Sequence, residues 1–230
     1  MTISVIIPTL NEENRLAQTL ASLEASIFLD LIIVDGGSTD GTVSIADAFC
    51  TGIPHLQILT GSAGRARQMN EGAKASRGEI LLFLHADTLL PPDTHLIIES
   101  ALTDPRVLGG RFDARFDAPS VWGTMISTLM NWRSRLSGIA TGDQAIFVRR
   151  HAFEQLGGFP DIPLMEDIEF SRRLKHLGPT VALRQTVTTS FRRWKQRGPL
   201  RTILLMWTLR FLYWVGISPY HLARFYRAVR

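Results

Sequence analysis

Short apolar runs alternate with more polar stretches in the N-terminal part of the chain. The apolar runs cover residues 2–7, 30–34, 55–59 and 80–84. Runs of this length are typical of strands buried on both faces of a parallel sheet. Helices are predicted between them, from apolar spacing or from the Ser, Thr and Gly residues that open them, over residues 11–26, 43–49 and 64–76. The alternation predicts an α/β fold with a mainly parallel central sheet and helices on both faces.

The second half of the chain has a less regular pattern. Its predicted strands and helices cover residues 107–116, 145–148, 120–136 and 166–176. Within the first of these strands, Gly109 and Gly110 indicate a bulge or a close approach of two backbones. From residue 198 the chain is apolar, aromatic and basic. We therefore divide it into a sheet domain, residues 1–197, and a C-terminal amphipathic helical extension, residues 198–230.

Charge is distributed unevenly along the 230 residues. Residues 1–169 contain 12 basic and 21 acidic residues, whereas residues 170–230 contain 13 basic residues and no acidic one. One explanation is an anionic partner, namely membrane lipid, nucleic acid or a phosphorylated substrate, and the other is a solvated basic face. The single cysteine, Cys50, excludes an internal disulfide framework and a cysteine-based zinc site.

Two of the predicted strands lead into an aspartate. Residues 80–84 precede Asp87, and residues 30–34 run directly into Asp35. Ligands of open α/β sheets bind just beyond the carboxyl ends of the strands. One carboxylate there can anchor Mg²⁺ or Mn²⁺ when substrate phosphates complete much of the coordination shell, so Asp87 is the candidate metal ligand. Asp35 can accept hydrogen bonds from a base or a ribose, although Asp-Gly also forms ordinary turns.

Other candidate ligand-binding residues follow the first and third strands: Pro8, Thr9, Asn11, Glu12, Gly61, Arg65 and Arg67. Small and polar side chains can hydrogen-bond a base or a ribose, although Thr9 and Asn11 are also common helix caps. Free N–H groups near Gly61, together with Arg65 and Arg67, can bind a phosphate. This loop is neither a Walker A loop nor a dinucleotide fingerprint.

Glu166 and Asp167 open the helix predicted over residues 166–176. A buried or paired carboxylate can act as a general base towards a hydroxyl, so both are candidate catalytic residues. Acidic residues also stabilise helix N-termini without any catalytic role. Arg193 and Trp194 place a cation beside an aromatic ring, which suits contacts with a diphosphate or a sugar; a basic surface is the alternative.

Taken in order, these segments resemble the family 2 glycosyltransferases of the GT-A fold, over residues 3–195. The resemblance is strongest in V-I-I-P-T-L-N-E (5–12), I-V-D-G-G-S-T-D-G-T (33–42), N-E-G (70–72), R-G-E-I-L-L-F-L-H-A-D (77–87) and G-G-F (157–159). Residues 84–88 and 142–147 also resemble a small bacterial set associated with arsenosugar biosynthesis gene groups.

The resemblance implies roles for individual residues. According to this resemblance, the nucleoside pocket is lined by Pro8, Thr9, Asn11, Glu12 and Asp35. The resemblance also places near the diphosphate or the acceptor Arg65 or Arg67, Arg193 and Trp194. Asp87 corresponds to the metal-binding acidic motif, and Asp167 corresponds to the catalytic base. The implied activity is transfer of a sugar from a nucleotide-diphosphate sugar, with a UDP-sugar favoured, to an acceptor hydroxyl, with inversion by single displacement.

The sequence departs from the family pattern at two of these positions. Gly36 stands where the family usually has a second aspartate, so one nucleoside contact is missing. His85 stands where an Asp-x-Asp motif would have its first carboxylate, which leaves Asp87 alone. A polysaccharide synthase is disfavoured because the chain lacks both the glutamine pattern before Arg193 and multiple spanning segments.

Two other functional classes remain open. A sugar-nucleotide nucleotidyltransferase typically has a Gly-rich loop and a basic residue after its first strand, where this chain has Pro8 and Thr9. A non-catalytic nucleotide-sugar or lipid-binding module would not need both Asp87 and Asp167. Nucleic-acid binding is not expected, since the basic residues form no recognised module. The sugar, the acceptor and the oligomeric state are not specified by the sequence.

The tail, residues 200–220, is apolar but is interrupted by Arg201 and Arg210. A spanning helix needs about 20 mostly apolar residues and tolerates a central arginine poorly. One interpretation is a segment lying in the membrane interface; the other is a pair of helices buried in the core or in a homodimer. The N-terminus lacks the positive flank of a signal peptide, so we expect a cytoplasmic protein, peripheral on the inner face of the membrane under the first interpretation.

Overall fold

The computed structural model describes residues 1–23, 27–117 and 120–228, except the side chains of residues 193, 196, 197, 227 and 228. The strands are β1 Ile3–Thr9, β2 Asp30–Asp35, β3 Leu56–Thr60, β4 Ile80–Phe83, β5 Thr88–Leu89, β6 Gly109–Phe116, β7 Ile146–Arg149 and β8 Thr180–Thr189. The helices are α1 Leu16–Ser22, α2 Thr42–Cys50, α3 Arg65–Ala75, α4 Thr94–Ala101, α5 Val121–Ser137, α6 Arg150–Gln155, α7 Glu166–Leu177, α8 Arg192–Arg197, α9 Pro199–Trp214 and α10 Pro219–Ala228. A 3-10 turn, Gly142–Gln144, precedes β7.

The strands form one sheet in the order β3-β2-β1-β4-β7-β6-β8-β5. Strands β1 to β4 are mutually parallel, and β7 runs antiparallel to both of its neighbours, β4 and β6. Because β6 and β8 are parallel to each other, six strands end at the same edge of the sheet, and β7 begins there. This mixed, largely parallel sheet with surrounding helices confirms the predicted α/β architecture.

The core lies in two layers, one on each face of the sheet. Alternate residues of β1 point to opposite faces, as the period of a strand requires. Val5 and Ile7 pack on the side of α1. Ile6 packs against α3 and α7, where Met69 and Phe170 are also buried. All residues of β2 and β4 are buried, because both faces of these strands are covered.

Several predicted boundaries were wrong. Strand β1 continues through Pro8, which pairs with Val34, instead of ending before it. Helix α1 begins at Leu16 rather than at Asn11, whose φ of 56° is incompatible with a right-handed helix. The end predicted for that helix, residues 24–26, lies outside the described residues. Five elements, β5, α4, α6, β8 and α8, were not predicted.

The two glycines at the start of β6 allow a close approach of backbones, as predicted. A Cβ on Gly109 would collide with the carbonyl oxygen of Phe147, and one on Gly110 with that of Val181. The irregularity in strand pairing lies two residues further on, between Arg111 and Asp113.

The C-terminal helices have one packed face and one exposed face. Gly198, with a φ of 80°, separates α8 from α9. Leu209 of α9 packs with Met165, next to α7, and with Leu222 of α10 in a small third core. Among the residues described, no helix combines the length and hydropathy required of a membrane span. The division at residue 197 stays a prediction.

Candidate functional site

Asp35 organises the loop that follows β2. Its Oδ1 accepts hydrogen bonds from Thr9 Oγ1 at 3.1 Å and Ser38 Oγ at 2.5 Å. Its Oδ2 accepts the N–H groups of Gly37 at 2.9 Å and Ser38 at 2.8 Å. Burial alone would raise the pKa of Asp35, but these hydrogen bonds, chiefly from Ser38, hold it below its usual value. The carboxylate thus forms the turn that the sequence allowed, and its contact with a base stays a prediction.

The segment after β1 is fixed against the same loop. The Asn11 N–H donates to Ser38 Oγ at 2.9 Å, and Asn11 Oδ1 accepts the Thr39 N–H at 2.9 Å. The Gln68 amide of α3 donates to the carbonyl oxygens of Thr9 at 2.7 Å and Val34 at 2.8 Å. The ends of β1 and β2 are therefore locked together.

Glu12 is partly buried after β1 and pairs with α8. Its oxygens accept hydrogen bonds from Arg192 Nη2 at 3.0 and 3.2 Å. Burial raises the pKa of Glu12 above its usual value despite Arg192, and the negative charge of Asp87 adds to this increase. Glu12 and Asp87 therefore lie near enough to repel each other at the strand edge.

Asp87 follows β4 and is partly exposed. Among residues 1–23, 27–117 and 120–228, no side chain or backbone group forms a hydrogen bond or ion pair with its carboxylate. Next to it, His85 Nδ1 lies 3.1 Å from Asp143 Oδ1. The other ring nitrogen, Nε2, is buried against Gly142 and has no hydrogen-bond partner within the described part of the chain.

Asp167 lies at the start of α7 on the other side of His85. Its Oδ2 accepts the Gly142 N–H at 2.8 Å, and its Oδ1 accepts the Ile168 N–H at 2.8 Å. Because Gly142 and Asp143 are consecutive, one turn holds both Asp167 and His85. This turn therefore links the candidate base to His85, two residues before the candidate metal ligand.

Glu166, next to the candidate base, is almost fully buried and pairs with Arg65 Nη1 at 3.0 Å. Burial raises the pKa of Glu166, although Arg65 opposes the shift. Desolvation would lower the pKa of Arg65, but the charges of Glu166, Asp167 and Asp143 outweigh it and raise that pKa. Glu166 is therefore a buried partner of Arg65 and an anchor for α7.

Gly61 and Arg67, the other residues predicted to bind a phosphate, have partners other than Glu166. Arg67 extends to Asp161, with N–O distances of 2.8 and 3.0 Å, and both side chains are exposed. The Gly61 N–H donates to the Asp35 carbonyl oxygen at 2.8 Å. A Cβ on Gly61 would collide with the Glu71 carboxylate. The phosphate-binding roles of Gly61 and Arg67 stay predictions.

The loop before α7 is held by residues of the family motifs. The Asn70 side chain accepts the Phe159 N–H at 2.9 Å and donates to the Phe159 carbonyl oxygen at 2.8 Å. Gly158 has a φ of 75°, and a Cβ there would collide with Asn70 Oδ1. Arg173 donates to the carbonyl oxygens of Leu156 at 2.8 Å and Gly158 at 2.7 Å. These motif residues position the start of α7.

The Arg-Arg-Trp segment forms the first turn of α8. Trp194 stacks on Phe191 at 6.3 Å with an interplanar angle of 11° and meets the edge of Phe116 at 5.8 Å. The side chain of Arg193 lies outside the described residues. Its neighbour Arg192 makes the contact with Glu12.

Sequence reasoning also missed Asp143 and Gln68, and it gave no role to Arg133 of α5. Asp143 was visible only as part of a narrow resemblance. Gln68 and Arg133 gave no signal, since nothing in a helical sequence reveals which polar residue turns inward. Within the described residues, no group of three or more His, Cys, Asp or Glu side chains is arranged to hold a metal ion.

The chain is similar to known glycosyltransferases. The model of the family "Glycosyl transferase family 2" matches residues 4–157. The "Probable glycosyltransferase YdaM" of Bacillus subtilis is 26% identical over 76% of this chain and 47% of its own length. "Glycosyltransferase AglE" of Haloferax volcanii is 27% identical over 76% of this chain and 62% of its own length. An undecaprenyl-phosphate 4-deoxy-4-formamido-L-arabinose transferase of Pseudomonas paraeruginosa is 29% identical over 65% and 46%.

Solved structures share the fold. The mannosyltransferase PcManGT of Pyrobaculum calidifontis, in complex with GDP-Man and Mn²⁺, has a TM-score of 0.69 and 23% identity over 90% of this chain and 60% of its own. TarS 1–349 of Staphylococcus aureus, in complex with UDP-GlcNAc, has a TM-score of 0.63 and 19% identity over 83% and 56%. The chain spans between a quarter and about three fifths of the length of the first curated relatives. The family model covers most of the residues that build the sheet edge and its loops, and this chain therefore belongs to glycosyl transferase family 2.

Proposed function

We propose that this glycosyltransferase moves a sugar from a nucleotide-diphosphate sugar, with a UDP-sugar favoured, to an acceptor hydroxyl. The observation that carries the proposal is that one turn, Gly142–Asp143, holds both Asp167 and His85, which lies two residues before Asp87. A free carboxylate at a strand end suits the donor, and a second carboxylate across the cleft suits the acceptor. Similar structures hold GDP-Man with Mn²⁺ and UDP-GlcNAc, which supports a nucleotide-sugar donor.

The residues around Asp87 fit Mg²⁺ or Mn²⁺ provided that the substrate completes the site. Asp87 has no partner among the described residues, and the nearby Glu12 adds negative charge although Arg192 holds it. One or two carboxylates together with substrate phosphates are the usual environment of Mg²⁺. A bound divalent ion would neutralise charge on the leaving diphosphate.

Asp167 is proposed to remove the proton from the acceptor hydroxyl as that oxygen attacks the anomeric carbon. The N–H groups of Gly142 and Ile168 hold the two carboxylate oxygens in place. Glu166 and Arg65 anchor the first turn of α7 behind it. Attack from the face opposite the diphosphate inverts the anomeric centre. The narrower resemblance to arsenosugar-associated enzymes stays a prediction about the acceptor.

A donor screen tests the first half of the proposal. Purified protein is heated with UDP-, GDP- and TDP-sugars, with Mg²⁺, Mn²⁺ or EDTA, and thermal stabilisation is recorded. We expect one nucleotide series to stabilise the protein only when a metal is present. Asp87→Asn should abolish that stabilisation without lowering the unliganded melting temperature, because Asp87 makes no described hydrogen bond and its charge repels Glu12.

Asp161→Asn is the matched control, since this carboxylate is exposed and bonded to Arg67. Metal-independent stabilisation, or full stabilisation of Asp87→Asn, would contradict the role of Asp87. Stabilisation by a nucleotide-sugar without hydrolysis or transfer to any acceptor would favour a binding module. Formation of a nucleotide-sugar from a sugar phosphate would favour a nucleotidyltransferase.

We also propose that the C-terminal extension contacts the inner face of a membrane. The exposed side of α9 carries Leu200, Leu204, Trp207, Phe211 and Trp214. Trp207 and Trp214 are 69% and 81% exposed, which is unusual for large aromatic side chains on a monomer. Residues 170–230 contain no acidic residue, so this face suits an anionic lipid surface better than a second positively charged copy.

Co-sedimentation with vesicles tests the membrane contact. The protein should sediment with vesicles containing phosphatidylglycerol and much less with pure phosphatidylcholine. Trp207→Ser with Trp214→Ser should weaken sedimentation, whereas Leu96→Ser, an exposed apolar residue of α4, should not. Sedimentation unaffected by the tryptophan substitutions would contradict the proposal. A dimer by light scattering that the same substitutions dissociate would favour the homodimer.

A further inference from the structure

Two arginines near the candidate base have no anionic partner of their own. Arg133 lies on α5 and Arg210 lies in the middle of α9. Within the described parts of the chain, neither forms an ion pair or a hydrogen bond. The Nε and Nη2 atoms of Arg133 are buried without an acceptor. Nearby arginines behave differently, since Arg111 and Arg135 both bind the Asp113 carboxylate at 2.7 Å.

This arrangement is unfavourable in the unliganded protein. Buried guanidinium N–H groups without acceptors lose their hydration, and no hydrogen bond within the protein compensates for this loss. Desolvation lowers the pKa of Arg133 to about 10, and the positive charge of Arg210 contributes to the decrease. Arg133 therefore remains cationic at neutral pH. Two desolvated cations with free donors form a natural site for an anion that binds from outside.

The neighbours of these arginines place them on the acceptor side of the cleft. Asp167 attracts both Arg133 and Arg210, and Asp143 also attracts Arg210. The donor side has its own set of charges, since those acting on Glu12 come from Arg192, Asp87 and His85. The two arginines therefore lie near the candidate base.

We propose that Arg133 and Arg210 bind a phosphate group of the acceptor, so that the acceptor is a phosphorylated alcohol whose hydroxyl reaches Asp167. This inference rests on the proposed function, because it takes Asp167 as the base. Guanidinium groups match phosphate oxygens with paired N–H donors, which gives orientation as well as affinity. Binding the phosphate would supply the missing acceptors of Arg133 and hold the hydroxyl at a fixed distance from Asp167.

The first experiment measures phosphate binding without catalysis. The protein is saturated with Mg²⁺ and the nucleoside diphosphate that stabilises it most, and inorganic phosphate is then titrated by calorimetry. Filling the donor site first removes its diphosphate subsite from the measurement. We expect the double variant Arg133→Gln with Arg210→Gln to bind phosphate roughly 10- to 100-fold more weakly. Arg184→Gln, a substitution of an exposed arginine on β8, should bind as the wild type does.

Nucleotide binding distinguishes the two proposals. If the double variant loses nucleoside diphosphate binding, the arginines belong to the donor and this inference is wrong. It is also wrong if wild type and variant bind phosphate equally. If no nucleotide binds but phosphate affinity still depends on the arginines, the phosphate site stands and the proposed function fails. Circular dichroism checks the fold, and Arg133→Lys, which keeps the charge but loses the paired donors, serves if the glutamine variant unfolds.

The second experiment identifies the source of the phosphate. Glycerol 3-phosphate is compared with glycerol as a soluble acceptor, and phosphatidylglycerol vesicles are compared with phosphatidylcholine vesicles as a lipid acceptor. Transfer to glycerol 3-phosphate alone indicates a soluble phosphate ester, and transfer to phosphatidylglycerol alone indicates a lipid headgroup. Efficient transfer to glycerol, undiminished in the double variant, would overturn the inference.

Discussion

Replacing Asp167 by asparagine removes the candidate base while preserving its size. Both carboxylate oxygens accept backbone N–H groups, from Gly142 and from Ile168. An amide has only one oxygen, so at least one of these hydrogen bonds is lost, at about 1–3 kcal/mol. In a chain of this size each kcal/mol lowers the melting temperature by roughly 2–4 °C. The protein should remain folded at assay temperature.

The rate should fall far more than the stability does. Loss of a general base lowers turnover about 10²- to 10⁴-fold, which is roughly 3–5 kcal/mol in the barrier. The assay is sugar transfer to the acceptor at saturating donor, with thermal shift to confirm that donor binding is unchanged. Ser171→Ala is the matched control, because it removes hydrogen bonds to the carbonyl oxygens of Asp167 and Ala140 while leaving the carboxylate in place.

The two variants therefore separate chemistry from stability. Asp167→Asn should be nearly inactive and Ser171→Ala nearly normal, although both are less stable than the wild type. Turnover of Asp167→Asn within a few-fold of the wild type would refute the assignment of the base. If both variants lost turnover equally, the cause would be a displacement of α7 and not the loss of the base.

Three further substitutions test the scaffold of the site. Arg65→Gln should destabilise the protein by about 1–3 kcal/mol at neutral pH, between the values for exposed and buried ion pairs because Arg65 is itself 43% exposed. Arg65 lowers the pKa of Glu166, so without Arg65 that raised pKa rises further. The difference in the free energy of unfolding between wild type and variant, measured with urea, should therefore shrink as the pH falls towards 4.5 and Glu166 becomes protonated in both proteins. Asn70→Ala should lower stability by about 1–3 kcal/mol, measured by urea unfolding, because it breaks both hydrogen bonds to Phe159. Asp35→Asn should be less stable than the wild type at neutral pH; because the folded pKa of Asp35 is lowered, the wild-type advantage should decline in unfolding curves recorded below pH 3.8.

The parallel part of the sheet was predictable because it depends on local pattern. A strand covered on both faces is mostly apolar, and β2 and β4 each contain four consecutive apolar residues. An acidic residue at or just after the end of such a strand lies at the edge of the sheet where the parallel strands end. This rule placed Asp35 and Asp87 at that edge. Strand β8 has no such pattern, since most of its residues are partly or fully exposed. It forms because β6 and β5 pair with it. Both partners are distant in sequence, so the residues of β8 alone do not reveal the strand.

The choice between neighbouring residues was beyond the sequence. Consecutive residues of a helix differ by about 100° in direction, so the contact of α8 with the cleft depends on its rotation. That rotation is set by Trp194 stacking on Phe191, and it directs Arg192 to Glu12. The role of Arg193 near a diphosphate or an acceptor stays a prediction, since its side chain lies outside the described residues.

The division of charge across the cleft follows from the loss of one carboxylate. With histidine at position 85, Asp87 is the one carboxylate of residues 85–87 and has no hydrogen-bond or ion-pair partner among the described residues, whereas the nearby Glu12 pairs with Arg192. His85 turns instead to Asp143, which ties the end of β4 to the turn that positions Asp167. Binding of donor and metal beside Asp87 would act on His85 directly, and a shift of His85 would be transmitted through this turn to the base. His85 thus links the end of β4 to the turn that holds Asp167, the residue near which Arg133 and Arg210 have no hydrogen-bond or ion-pair partner in the described structure.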